Sequence, residues 1–387
     1  MPMQKILMAA SNAWNSVFQV GSHHLAREFL KMGFQVAYIS DPISPLHVFG
    51  SGDFKERLAL YRSGGLSEEN LWAYVPATLC PPTNRLLLRS AWVYRHWHTL
   101  TFPSVVTKAR HHGFGEVDIL YLDSPVQSFW LNEIRARKTV YRMPDYTAGF
   151  KKATPALLQL EQELIEKVDL VVCTAKTLVD SIQGKPKRVE YLPNGVPLAH
   201  FTKPGQLPDA LARIPKPIVI YVGAIEYWLD APLIEKIARA MPHLSFVFVG
   251  PVKTSLTAPP NVYFLGPKPY AEIPNYLQFA DVGWIPFDVK NYPDLIHHVN
   301  PLKLYEYMAS GLPVVATRWR ELENIGSPAH LYDTGDQCKA ALHCALDDKN
   351  GTLLRDYAAQ FDWSSRAKQL MTLLTEAPAK STSVNSL

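Results

Sequence analysis

An α/β protein built on parallel sheets is what this sequence predicts. Short, continuous apolar runs alternate with helical patterns, and the pattern halts once in mid-chain before starting afresh. Continuous rather than alternating apolar runs suit strands covered on both faces, the condition of a parallel sheet between helices. A chain of 387 residues also exceeds what one ordinary core serves, so two units are expected.

The first-half runs fall at residues 5–10, 34–40, 117–123, 139–142, 169–174 and 188–192. Those of the second half fall at 218–223, 245–250, 262–266, 281–286, 313–317 and 330–332. Helices fit between them. The spacing predicts one over residues 22–32, with Ser22 as N-cap and Gly33 as its stop. Between Leu192 and Pro208, proline, asparagine and glycine crowd together, the composition of a connection between units. The expected plan is two Rossmann-like parallel-sheet domains facing each other across a cleft, at residues 1–195 and 217–375. Residues 196–216 would link them, and the small, polar residues 376–387 would form a disordered tail.

Several classes are excluded. A net charge of +4 is small for this length, and no Lys/Arg-rich run or RNA-binding signature occurs, so no nucleic-acid partner is expected. Cys80, Cys173, Cys338 and Cys344 lie scattered without a C-x-x-C pair, as in thiols of a reducing compartment. The apolar start is too short for a signal peptide and reads as a first strand. No apolar stretch reaches the roughly 18 residues a membrane helix needs, so a cytoplasmic protein is expected. There is no G-x-G-x-x-G at a strand-to-helix turn and no P-loop. Asp-x-Asp, a common metal clamp on a nucleotide diphosphate, is also missing. A phosphate-binding site here would need another cation.

Residues 299–317 supply one. Asn300 suits an N-cap, Pro301 the first helical position and Gly311 the stop of a short helix that leads into a strand. Lys303 then sits in the first turn, where a cation opposes the helix dipole. A bound anion would account for it: free N–H groups plus a lysine make a metal-free diphosphate site. Glu306 follows one turn later on the same face, placed to accept both hydroxyl protons of a ribose diol. The same spacing equally suits a solvated lysine paired with Glu306.

Glu306-x-Met-Ala-x-Gly-x-Pro-Val-Val315 resembles the donor-site signature of GT-B glycosyltransferases. Pro301-Leu-Lys-Leu-Tyr-Glu-Tyr307 is similar to the branch of bacterial polysaccharide enzymes that holds the TuaH-like and GumK-like (xanthan glucuronosyltransferase) families. Tyr221-Val-Gly-Ala-Ile-Glu-Tyr-Trp-Leu-Asp230, Phe248-Val-Gly-Pro251, Val262-Tyr-Phe-Leu-Gly-Pro-Lys-Pro-Tyr270, Asp281-Val-Gly-Trp-Ile-Pro-Phe287 and the Pro193-Asn-Gly-Val196 hinge agree with it. The resemblance implies a GT-B fold with a nucleotide-sugar donor, expected to be a UDP-sugar, in the second domain. Gly223, Ile225, Lys268, Phe287, His298, Lys303 and Glu306 would be its donor-binding residues. Neither a cofactor nor a metal is expected. Retaining members carry a glutamate eight positions before Glu306, where this chain has His298, so the Glu-x7-Glu pair is incomplete.

Ligands of open α/β sheets sit at the carboxyl ends of strands. Asp41, Asp123 and Asp145 meet that condition in the first half. Tyr141-Arg-x-x-Asp145 resembles the segment that carries the base in GumK-like enzymes, which makes Asp145 the expected general base. A cap on the following helix is its alternative role. Gly21, His23 and His24 open the first helix and, with Asp123, are candidates for acceptor or phosphate contact.

Between residues 70 and 115 there is no acidic residue. Arg85, Arg89, Arg95, Trp92 and Trp97 interleave there, a mixture that suits an anionic bilayer surface. The expected acceptor is thus a lipid-linked saccharide, met by a peripheral protein on the inner face of the plasma membrane. Two other functions fit the same plan: a UDP-sugar 2-epimerase and a non-catalytic donor-binding subunit.

Overall fold

A computed structural model describes residues 3–47, 54–254 and 259–376; the tail expected at 376–387 lies, beyond Glu376, outside them. The first half carries β1 (Lys5–Ala10), β2 (Gln35–Ser40), β3 (Leu66–Glu68), β4 (Leu71–Tyr74), β5 (Glu116–Leu122), β6 (Arg135–Met143), β7 (Leu170–Cys173) and β8 (Val189–Tyr191). They form one sheet in the order β3-β4-β2-β1-β5-β6-β7-β8, parallel throughout except for β3 on β4. The second half carries β9 (Ile218–Val222), β10 (Ser245–Val249), β11 (Val262–Gly266), β12 (Val282–Ile285), β13 (Val314–Thr317) and β14 (His330–Tyr332). These form an all-parallel sheet in the order β11-β10-β9-β12-β13-β14. This is the GT-B arrangement that the sequence predicts.

Every predicted run is a strand, and β3 and β4 are additional. Leu71, Trp72, Ala73 and Tyr74 are all buried, but four residues are too few to set a period. In β3, Ser67 and Glu68 are exposed on an antiparallel edge. Strand β6 begins before its predicted start because Arg135–Thr139 is polar and lies beyond the covering helices.

The helix Gly21–Lys31 runs one residue ahead of expectation, and Val20 rather than Ser22 is its N-cap. Gly33 stops it at φ +85°. The connecting residues are not free chain. Short helices Leu198–Phe201 and Asp209–Ala212 form there, and Val196, Phe201 and Leu211 join the core of the second half.

The end of the chain also departs from the expected boundary at residue 375. The last helix, Trp363–Thr375, crosses back and packs on the helix Gly21–Lys31. Its Trp363, Ala367, Leu370 and Leu374 are buried with Ile6, Leu25 and Phe29 of the first half. Both crossings lie side by side: Val196 N–H donates to Phe361 O at 2.9 Å and Trp363 N–H to Val196 O at 3.2 Å. Gly195 is required there, since a Cβ would stand 2.5 Å from Phe361 O. Burying large side chains such as Trp363 contributes about 1.5–3 kcal/mol each, so the last helix is a stabilising strap on the first half.

Candidate functional site

The strands of the second sheet deliver their carboxyl ends to a cleft between the halves, the usual place for a ligand in an open α/β sheet. Residues 17–20 form its first-half wall; Gly223, Gly250, Lys268, Tyr270, Lys303 and Glu306 line the other. Two loops pass backbone to backbone at its floor. A Cβ on Gly250 would lie 1.9 Å from Gly223 O, so no side chain fits there.

The helix Leu302–Ala309 begins in this cleft. Its N-cap is Pro301, one residue later than predicted, and no side chain caps it. Asn300 is engaged elsewhere: its side-chain carbonyl accepts from Tyr305 OH at 3.0 Å and its backbone carbonyl from Asn194 Nδ2 at 2.6 Å. The helix start is therefore open to a ligand.

Lys303 Nζ stands over the rings of Phe287 and Tyr221, 5.3 and 5.4 Å from their centroids. Burial lowers its pKa to about 8, against the opposing pull of the Glu306 and Asp145 charges. Glu306 accepts from Tyr270 OH at 3.1 Å. Burial raises its pKa to about 7, although the Tyr270 bond and the Lys303 charge oppose the rise. A partly desolvated cation beside an uncapped helix start is chemistry suited to an anion.

Across the cleft, Asp145 follows β6. Burial raises its pKa to about 6, with the Arg142 and Lys303 charges pulling it down. Its side chain is half-buried. Asp145 does not cap the next turn: Thr147–Gly149 has Tyr146 as N-cap, without a side-chain bond. The Lys303 charge pulls the Asp145 pKa down and the Asp145 charge pulls the Lys303 pKa up, across the boundary between the halves. The His298 ring lies 4.6 Å from that of Tyr146, outside the residues that line the cleft.

Other candidates sit elsewhere. Asp123 is 5% exposed, accepts from Ser11 N–H at 3.0 Å, and is raised by burial to about 7. Asp41 accepts from Ser124 Oγ at 2.7 Å and from Gln127 Nε2 at 3.1 Å, which makes it a turn anchor. His23 is committed to backbone: one ring nitrogen faces Ala13 O at 2.9 Å and the other accepts from Val20 N–H at 3.2 Å. It is a helix cap and no ligand contact. His24 is buried at the seam of the halves, stacked on Trp363 with centroids 5.4 Å apart, off the donor cleft. Gly21 packs against Arg142 rather than facing a ligand; a Cβ there would meet Nη2 at 2.4 Å. Ile225 lies wholly in the core of the second half. Phe287 supports Lys303 from below, and Lys268 lines the cleft as expected.

The basic aromatic stretch divides. Trp97 is buried, its indole donating to Val126 O at 2.8 Å, and Arg95 forms a two-pronged pair with Glu163 at 2.8 and 2.5 Å. Trp97 cannot meet a membrane, and the Arg95 charge is matched by that of Glu163. Arg85, Arg89 and Trp92 are exposed. Around them stand Leu79, Leu86, Leu87 and Phe102, at 76%, 76%, 84% and 81% exposure. Among the described residues no helix is long and apolar enough to cross a membrane, and no group of three or more His, Cys, Asp and Glu residues has the placement to hold a metal ion.

Sequence reasoning missed Tyr270, Arg142 and Asn194 as site residues. Each stood inside a quoted motif, but the bonds that matter join positions 36, 52 and 106 residues apart.

Comparison with known proteins agrees with this geometry. Residues 8–174 match the family "Glucuronosyltransferase GumK, N-terminal domain", and residues 216–348 match "Glycosyl transferases group 1". TuaH of Bacillus subtilis (strain 168), named as a teichuronic acid biosynthesis glycosyltransferase, is 28% identical over 232 residues. That alignment covers 54% of this chain and 58% of TuaH, so the chain is matched to little more than half the length of that relative. Among solved structures, sucrose-phosphate synthase from Thermosynechococcus elongatus superposes with a TM-score of 0.69 at 16% identity, covering 96% of this chain and 98% of that one. HepE of Anabaena, in complex with UDP and glucose, gives 0.64 at 16% identity, covering 97% and 100%. These two show the shared fold. The first half thus matches a GumK-type N-terminal domain, the second a group 1 glycosyltransferase domain, and two parallel sheets across a cleft give the chain the GT-B fold.

Proposed function

We propose that this protein transfers a sugar from a nucleoside diphosphate donor, a UDP-sugar, to a hydroxyl of a lipid-linked saccharide in cell-surface polysaccharide synthesis. One observation carries the reading: Lys303 and Glu306 line the interdomain cleft at the start of a helix that no side chain caps. Asp145 takes the acceptor hydroxyl proton as the oxygen attacks the anomeric carbon. The bond from that carbon to the diphosphate breaks, and the leaving anion is held by Lys303 and the start of the helix Leu302–Ala309. Glu306, steadied by Tyr270, accepts from the ribose hydroxyls. No metal is needed in this scheme, because the lysine and the helix amides carry the phosphate charge.

Thermal stabilisation by UDP and by a panel of UDP-sugars tests the donor class. Saturating UDP at about a hundredfold excess over Kd stabilises by about 2.7 kcal/mol, and the same shift is expected with EDTA present. A shift that appears only with added divalent cation would remove the metal-free reading. Screening the stabilising donors for transfer, and for epimerisation in the absence of acceptor, separates a transferase from an epimerase.

The exposed patch supports docking on the inner face of the membrane. Leu87 is held out at φ +75°, the one non-glycine left-handed residue among those described. Arg85 and Arg89 would each add about 1 kcal/mol at an anionic surface. Vesicles rich in anionic lipid should co-sediment the protein, and Arg85→Glu with Arg89→Glu should release it. Equal sedimentation of wild type and double variant would rule the patch out.

A further inference from the structure

Arg142, on the strand that ends at Asp145, is 4% exposed. Its guanidinium donates to the side-chain carbonyl of Asn194 at 2.5 Å rather than pairing with either neighbouring aspartate. Asn194 belongs to the crossing between the halves and is 6% exposed. Its amide nitrogen donates onward to the backbone carbonyl of Asn300 at 2.6 Å, two residues before the helix that bears Lys303 and Glu306. Gly21 closes the other side of the guanidinium, where even a Cβ would collide with it. A continuous, buried chain of polar bonds thus runs from the acceptor wall through the hinge to the donor helix.

An asparagine is the side chain this position demands. It must accept from a guanidinium at one end and donate to a carbonyl at the other, which aspartate and leucine cannot both do. The charges facing Asp145 are Arg142 from its own strand and Lys303 from the donor helix. Asp123, at the end of β5, shares the field of Arg142, and the His298 ring lies beside neighbouring Tyr146. Moving the guanidinium therefore alters which form of Asp145 is present.

We infer that Arg142 and Asn194 are positioning residues that couple the ionisation of the base to the docking of the donor helix. Asn194 fixes the guanidinium beside Asp145 while it grips the segment leading into the diphosphate site. The two halves must stand in this arrangement for the base to be in its competent form. This rests on the reading of Asp145 as the base.

The test is the pH dependence of kcat for transfer, with UDP affinity measured alongside. In Arg142→Gln the acid limb should move up by about 1 pH unit, since removing a nearby opposite charge raises a carboxyl pKa by about that much or more; in Asn194→Ala, which frees the guanidinium without removing it, the limb should move the same way by less. UDP affinity should stay close to wild type in Arg142→Gln and weaken in Asn194→Ala, and Arg142→Lys should restore part of the limb. An unmoved acid limb in both variants, with UDP binding showing them folded, would overturn the inference. Should Asn194→Ala not fold, Asn194→Ser and Arg142→Gln give the same readout. Asp145→Asn distinguishes the two failures. If it retains the acid limb, the base is misassigned; if it abolishes transfer while the other variants leave the limb in place, only the coupling is wrong.

Discussion

Asp145→Asn should lower kcat for transfer by about 10²–10⁴-fold, the usual contribution of a positioned general base, and leave UDP binding nearly unchanged. The substitution keeps shape and removes basicity. Its donor effect is small because Asp145 stands on the acceptor wall and makes no hydrogen bond to the donor helix among the described residues. Wild-type transfer should fall as pH drops through about 6, where Asp145 gains a proton and can no longer accept one. Comparison of single-turnover rates with calorimetric UDP affinity checks both statements. Transfer within tenfold of wild type would place the base elsewhere. Asp123 is the next carboxylate at a strand end, although its 5% exposure and its bond to Ser11 leave it little access to an acceptor.

The two halves of this site were unequally legible in the sequence. Donor-helix residues announce themselves locally: proline before the helix, glycine after it, and a lysine that the dipole disfavours. The parallel strands were legible because burial on both faces writes a continuous apolar run. What failed was whatever depended on a distant partner. Asn300 looked like a cap, but Tyr305 and Asn194 claim its oxygens. Trp97 and Trp92 look alike in sequence, yet one reaches the Val126 carbonyl in the core and the other stands in solvent. Arg95 meets Glu163 only because the helices Ala91–His96 and Pro155–Lys167 pack together. The return of Trp363–Thr375 to the first half left no local mark, because an amphipathic helix reads the same whichever core it covers.

Lys303→Met should weaken UDP binding by about 10- to 100-fold, since hydrogen bonds to charged groups contribute about 1.5–3 kcal/mol and each 1.4 kcal/mol is about tenfold in affinity. Methionine keeps an apolar stem against Tyr221 and Phe287 and removes only the charge. The free protein should be no less stable for it, because burial already penalises the ammonium, the cause of its lowered pKa. That combination, lost affinity without lost stability, is what separates a ligand-binding lysine from a structural one. The pH dependence follows with a definite sign. The protonated form binds the diphosphate, so wild-type UDP affinity should hold below pH 8 and decline as pH rises through about 8, while the variant shows no such decline. Lys303 also holds Asp145 down, so the variant's acid limb for residual transfer should move upward. A single substitution on the donor helix would then register in both donor affinity and acceptor activation, as two walls sharing one electrostatic field require. Unchanged UDP affinity in Lys303→Met, measured by calorimetry at pH 7, would instead mean that the diphosphate rests on backbone amides alone.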